Sequence, residues 1–165
     1  MTKIDIVHPQ DLAAILRIER LSFNEAEAGT AEQYQARINQ LADTFLVARD
    51  EYDRIAGFIV GPAVDQQFEY IEDWMYEADV QNRQQPGGNQ TIQTIAVDPV
   101  YRGQGIGSQL LSAFEDLAIQ NQRHHIALTC LIDRVPFYEK NGYVNRGIAA
   151  SEHAGEIWYN MTKLL

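Results

Sequence analysis

Tyr101-Arg102-Gly103-Gln104-Gly105-Ile106-Gly107-Ser108 combines a cation, three glycines and a following helical pattern, and this is chemistry for holding a phosphate. The apolar run before it, Thr91 to Val97, reads as a strand, and the amphipathic run Ser108 to Gln120 reads as a helix. A turn between strand and helix presents backbone N–H groups that the helix cannot satisfy internally, and these favour an anion. Glycine permits positive φ and close approach of the main chain, while Arg102 adds a fixed charge. Neither the G-x-x-x-x-G-K-[ST] pattern nor G-x-G-x-x-G is present, since the third glycine of the latter falls on Ser108.

A second set of residues lies further along, in Leu128 to Tyr143. Tyr138 stands on a short helix predicted over Val135–Lys140, followed by Glu139-Lys140-Asn141-Gly142-Tyr143. A tyrosine hydroxyl so placed can give a proton to a leaving group or serve as a hydrogen-bonded core aromatic. Cys130, the only cysteine, sits in a strand pattern and reads as a small buried hydrophobe. His8 and His153 have no partners at metal-site spacing, and His124-His125 reads as solvated or as a helix C-terminal contact; no metal is expected.

Arg102-x-x-Gly105-x-Gly107, with Ile95-Ala96-Val97-Asp98-Pro99 before it and Leu110-Leu111 after it, resembles the acetyl-CoA-binding motif of the GNAT superfamily of acetyltransferases. The resemblance implies that Arg102, Gly103, Gln104, Gly105, Gly107 and Ser108 hold the pyrophosphate of coenzyme A. It implies that Ile95, Ala96 and Val97 pair with the pantetheine arm, and that Tyr138 is the general acid that protonates the departing thiolate. Pro136-Phe137-Tyr138, Cys130 and Ile18-Glu19-Arg20-Leu21-Ser22-Phe23 narrow it to the arylalkylamine (serotonin-type) branch. The vertebrate members of that branch carry two histidines on the strand before the turn; Thr91 and Gln93 stand there in this chain and cannot titrate near neutrality. An alkylammonium must still lose its proton, to water or to one of Glu25, Glu27, Glu69, Glu72 and Asp73.

The elements that must position these residues are legible in outline. Strands are predicted over Lys3–Val7, Phe45–Ala48, Ile55–Val60, Thr91–Val97 and His125–Leu131, then from Tyr143 and over Glu156–Thr162. Pro9 opens a helix carrying Leu12, Ile15, Leu16 and Ile18, and Thr30 caps another that runs to about Leu41. The order implies one α/β (α+β) domain over residues 1–165 with one mixed sheet covered by helices, and the resemblance implies the GNAT fold, a mostly antiparallel sheet of six to seven strands flanked by about four helices. Residues 65–90 mix Phe68, Tyr70, Trp74 and Tyr76 with acidic side chains, with a short helix around Glu69–Glu77, and read either as an amine pocket or as a surface helix.

Composition excludes several functions. A net charge of −10 argues against nucleic acid and against an anionic membrane as partner, and it either attracts cationic amines or simply maintains solubility. No apolar run is long enough to span a bilayer and no signal peptide is visible, so a cytoplasmic monomer or homodimer is expected. The expected activity is acetyl-CoA-dependent N-acetylation of a small primary amine, of arylalkylamine or polyamine type, by direct transfer in a ternary complex. The alternatives are acetylation of a protein or peptide, or a non-catalytic acetyl-CoA-binding module.

Overall fold

In the computed structural model, which describes residues 2–165, nine strands form two sheets. The first has the order β1 (Lys3–Ile6), β2 (Phe45–Arg49), β3 (Ile55–Val60), β6 (Thr94–Val97), and every pair is antiparallel. The second has the order β4 (Ala63–Val64), β5 (Asn89–Ile92), β7 (His125–Cys130), β9 (Tyr159–Leu164), β8 (Val144–Ile148). There only the β5–β7 pair is parallel. Helices α1 (Leu12–Ser22) and α2 (Ala31–Gln40) cover one face of the first sheet. Helices α3 (Ile106–Gln120) and α4 (Val135–Lys140) share a core with its other face and with the second sheet.

Period-two alternation explains why every residue of β2 and β3 is buried. Phe45 and Val47 point into the α1–α2 core, and Leu46 and Ala48 into the α3 core. On α3, Ile106, Leu110, Leu111, Phe114 and Ala118 recur at helical spacing and are all buried. Thr30 caps α2 through a reciprocal box with Gln33, as the sequence predicts.

The α/β class and the four helices stand, but the single sheet of six to seven strands gives way to two sheets, because the strand predicted over Thr91–Val97 breaks at Gln93. Before the break, β5 pairs with β7 through Gln90, Thr91 and Ile92. After it, β6 pairs with β3 alone, while β7 runs on through Thr129 and Cys130 against β9. The two strands therefore splay, and a wedge opens between them.

The outer edge of β6 faces this wedge. The Asp98 N–H bonds Ala56 O at 2.8 Å, so antiparallel alternation turns the amide of Ala96 towards β3 and those of Ile95 and Val97 towards the wedge. Gly61 makes the splay sterically possible. A Cβ there would lie 2.1 Å from Thr91 O, a main-chain atom with no room to retreat. Gly61→Ala should cost about 3 kcal/mol or more in stability, read as a lowered urea midpoint.

Three other expectations are corrected. Residues 69–77 contain one 3-10 turn, Asp73–Tyr76, rather than a longer helix. The surrounding segment is held by side chains: Arg83 pairs with Asp65 at 2.7 Å, and Arg123 donates to the carbonyls of Arg83, Gln85 and Gly87. The last strand starts at Tyr159 rather than Glu156, because Tyr159 faces Cys130, the last residue of β7. The helix predicted from Ser108 begins at Ile106, directly after the left-handed Gly105. No helix among the described residues is long and apolar enough to cross a membrane.

Candidate active site

The wedge widens into a cavity of about 870 Å³. Its walls come from β6, the glycine turn, the start of α3, the end of β7, α4, α1 and α2. Ile95, Ala96, Val97, Arg102, Gly103, Gly105, Gly107, Ser108 and Tyr138 all line it, whereas Gln104 is exposed outside it.

The turn is built from its flanks inward. Asp98, buried at the end of β6, accepts the N–H of Val100 at 3.0 Å and receives Arg17 Nη2 from α1 at 2.8 Å. The Tyr101 hydroxyl donates to Asp50 Oδ2 at 2.5 Å, tying the turn to the β2–β3 loop. That bond, with burial opposing it, holds the Asp50 carboxyl well below its ordinary range.

Gly103 and Gly105 then take φ values of +81° and +77°, which a residue with a Cβ adopts only under strain. Main-chain N–H groups from Gly103 to Ser108 donate to no main-chain acceptor among the described residues. Six such groups at the positive end of a 15-residue helix suit a pyrophosphate, with Arg102 beside them. Gly107 has another duty. A Cβ there would stand 3.1 Å from Phe137 Cζ, so its absence lets α3 pack against the helix that carries Tyr138.

Tyr138 is 7% exposed. Phe137 and Tyr143 hold its ring edge-on at centroid distances of 5.1 and 5.7 Å, and Glu115 anchors the Tyr143 hydroxyl at 3.1 Å. Burial raises the Tyr138 pKa, with Cys130 and Tyr76 adding to the rise and Arg134 opposing it. The hydroxyl is thus protonated at neutral pH, the state a proton donor needs. Burial likewise pushes the Cys130 thiol up to about 12, which leaves no thiolate for nucleophilic attack at neutral pH.

The cavity is also lined by Tyr76, whose hydroxyl lies 3.5 Å from Thr129 Oγ1, and by residues of α1 and α2. Of the five acidic residues named from sequence, Glu27 and Asp73 line it; Glu25, Glu69 and Glu72 do not. Of the two residues at the histidine positions, Gln93 lines it and donates to Met75 O at 2.7 Å, while Thr91 turns its hydroxyl to Pro62 O. From the mixed aromatic stretch only Tyr76 reaches the cavity; Trp74 and Tyr70 are exposed elsewhere.

Glu19 and Arg37 also line the cavity, and sequence reasoning passed over both. Glu19 is 2% exposed, accepts Gly29 N–H at 2.7 Å through Oε2 and leaves Oε1 unpartnered; burial raises its pKa against that bond and the charge of Arg37. The available signal was a charge inside an apolar stripe: Glu19 follows Ile15 by four residues, and Arg37 follows Tyr34 by three. Among the described residues, no group of three or more His, Cys, Asp or Glu is placed to hold a metal.

Comparison with known proteins accords with this geometry. The chain resembles Ard1 from Thermoplasma volcanium at 21% identity and a TM-score of 0.79, over 99% of this chain and 97% of that one. It resembles the loading GNATL domain of CurA from Lyngbya majuscula at 14% identity and 0.82, over 99% and 98%. It also resembles the ribosomal-protein-S18-alanine N-acetyltransferase from Escherichia coli at 19% identity and 0.72, over 99% and 94%. At such identities these establish the fold. No curated protein sequence matches the chain significantly. Residues 42–145 match the family described as the acetyltransferase (GNAT) domain, a span that holds the glycine turn, the splayed strands and Tyr138. The chain therefore belongs to the GNAT family and is an acetyltransferase with acetyl-CoA as its acyl donor.

Proposed function

We propose that the chain transfers the acetyl group of acetyl-CoA to a small primary amine, by direct attack within a ternary complex. The observation that carries this reading is that the glycine turn with its free amides, Tyr138 and the buried Glu19 and Arg37 all line one cavity. Pyrophosphate on residues 102–108 and pantetheine along the free edge of β6 would bring the thioester to Tyr138. The amine then enters from the α1–α2 side.

The amine nitrogen attacks the thioester carbonyl, forming a C–N bond, and the oxyanion is met by an outward amide of Ile95 or Val97. The C–S bond breaks as Tyr138 gives its proton to the thiolate. The acceptor sheds one proton as an ammonium before attack and a second as the amide forms; one restores Tyr138 and the other passes to water. Glu27 and Asp73 on the cavity wall can relay it. Burial keeps the Cys130 thiol protonated and so a poor nucleophile, which favours direct transfer over an acyl-enzyme on that residue.

The two stretches behind the likeness to the arylalkylamine branch meet in this cavity, with Glu19, Ser22 and Phe23 from one and Cys130, Phe137 and Tyr138 from the other. This supports a compact amine acceptor. Arg37 works against an acceptor carrying positive charge alone, such as a polyamine. A screen of primary amines and short peptides with acetyl-CoA, read as thiol release, tests the proposal. Small amines should be acetylated with kcat/KM at least about tenfold above peptides. Peptide-only turnover would assign the chain to protein acetylation, and binding without any turnover would make it a coenzyme sensor.

A further inference from the structure

Among the described residues three arginines are buried, and two are tied down by the protein. Arg49 donates to both oxygens of Asp11 at 3.0 and 2.7 Å. Arg123 donates to three backbone carbonyls. Arg37, 5% exposed, has no such tie: among the described residues it forms no side-chain hydrogen bond and no ion pair. Its guanidinium lies over the ring of Tyr34, 4.8 Å from the centroid. It lines the same cavity as Tyr76 and Tyr138, and its charge lowers the Tyr76 pKa against the larger, opposite effect of burial.

Buried arginines are normally paired, whereas the Arg37 nitrogens make no hydrogen bond and are not sealed from solvent, so they open onto the cavity they line. The charge of Arg37 acts on Glu19, yet that carboxylate binds Gly29 N–H rather than the guanidinium. The arrangement is also sterically built. A Cβ on Gly29 would lie 2.6 Å from Tyr34 Cε2 and 3.4 Å from Arg37 Nη1, so glycine at 29 makes room for the stacked pair. The planar donor edge of the guanidinium is therefore left to the cavity, where it matches a carboxylate bidentately. Glu19, Glu27 and Asp73 on the same walls disfavour a doubly charged anion and suit a single negative charge beside an ammonium.

We propose that Arg37 binds a carboxylate on the acyl acceptor, so that the small primary amine acetylated here is an amino acid. This rests on the small-amine reading above and narrows it. The carboxylate on Arg37 would orient the acceptor with its nitrogen towards Tyr76 and the thioester.

The test compares matched acceptors on the wild-type protein: a panel of L-amino acids, each with its methyl ester and its decarboxylated amine, followed by thiol release. At least one free acid should exceed its ester and amine in kcat/KM by about 100-fold or more, because both lack the carboxylate that pairs with Arg37. Arg37→Gln should abolish that preference, chiefly through KM, and Arg37→Lys should restore part of it. Calorimetry with acetyl-CoA on each variant verifies that the coenzyme site is intact. Esters or amines turned over as well as the acids would overturn the assignment of Arg37 while leaving the small-amine reading in place. Turnover of none of the three series, with acetyl-CoA still bound, would remove both. The wild-type comparison decides the matter even if a variant fails to fold.

Discussion

Gly105→Glu should abolish acetyl-CoA binding, raising Kd by roughly 10³-fold or more in a calorimetric titration. Two effects act together. Glutamate at φ +77° carries a left-handed penalty of about 1–2 kcal/mol, which shifts the turn or loosens the start of α3. The carboxylate also occupies the space in front of the amides of Gly103 to Ser108, where the pyrophosphate must lie, and repels it. The protein itself does not oppose the side chain, since a Cβ at 105 meets nothing within 4 Å. The thermal midpoint should therefore fall by only a few degrees. Gly105→Ala separates the effects: it retains the conformational penalty without the charge and should weaken binding by about tenfold. Unchanged affinity in the glutamate variant would mean that the pyrophosphate lies elsewhere.

Tyr138→Phe should lower kcat by about 10²-fold or more while leaving acetyl-CoA affinity nearly intact. Phenylalanine preserves the edge-on contacts with Phe137 and Tyr143, so the fold has little reason to respond. What disappears is a hydroxyl kept protonated by its burial and facing the same cavity as the glycine turn. A thiolate leaving without a proton makes the breakdown of the tetrahedral intermediate slower, and the loss appears in turnover rather than in binding. A variant with the wild-type rate would take Tyr138 out of the chemistry.

Much of this site was readable in the sequence because its parts are local. The glycine turn is contiguous, and its strand and helix flank it directly; Tyr138 lies on a helix whose bounds, Val135–Lys140, coincide with those predicted. Thr30 and Gln33 likewise announce a helix start through a pattern only four residues long.

The rest depends on partners distant in sequence. Thr91–Val97 has one unbroken β pattern, and its break at Gln93 follows from which strand lies on each side. The two-residue β4 carries no periodicity to detect. Glu19 and Arg37 come to line one cavity only when α1 and α2 pack over the same face of the first sheet. Residues 65–90 gave a composition without a pattern, and they are ordered by Arg83, Asn89 and Arg123 bonding to main-chain carbonyls.

A crystal structure with acetyl-CoA tests the central claim most directly. The expected result places the pyrophosphate on the amides of residues 103–108, the pantetheine against Ile95 and Val97, and the thioester sulfur within about 3.5 Å of the Tyr138 hydroxyl, or one water away. Electron density for the coenzyme away from the glycine turn, or a sulfur out of reach of Tyr138, would contradict it.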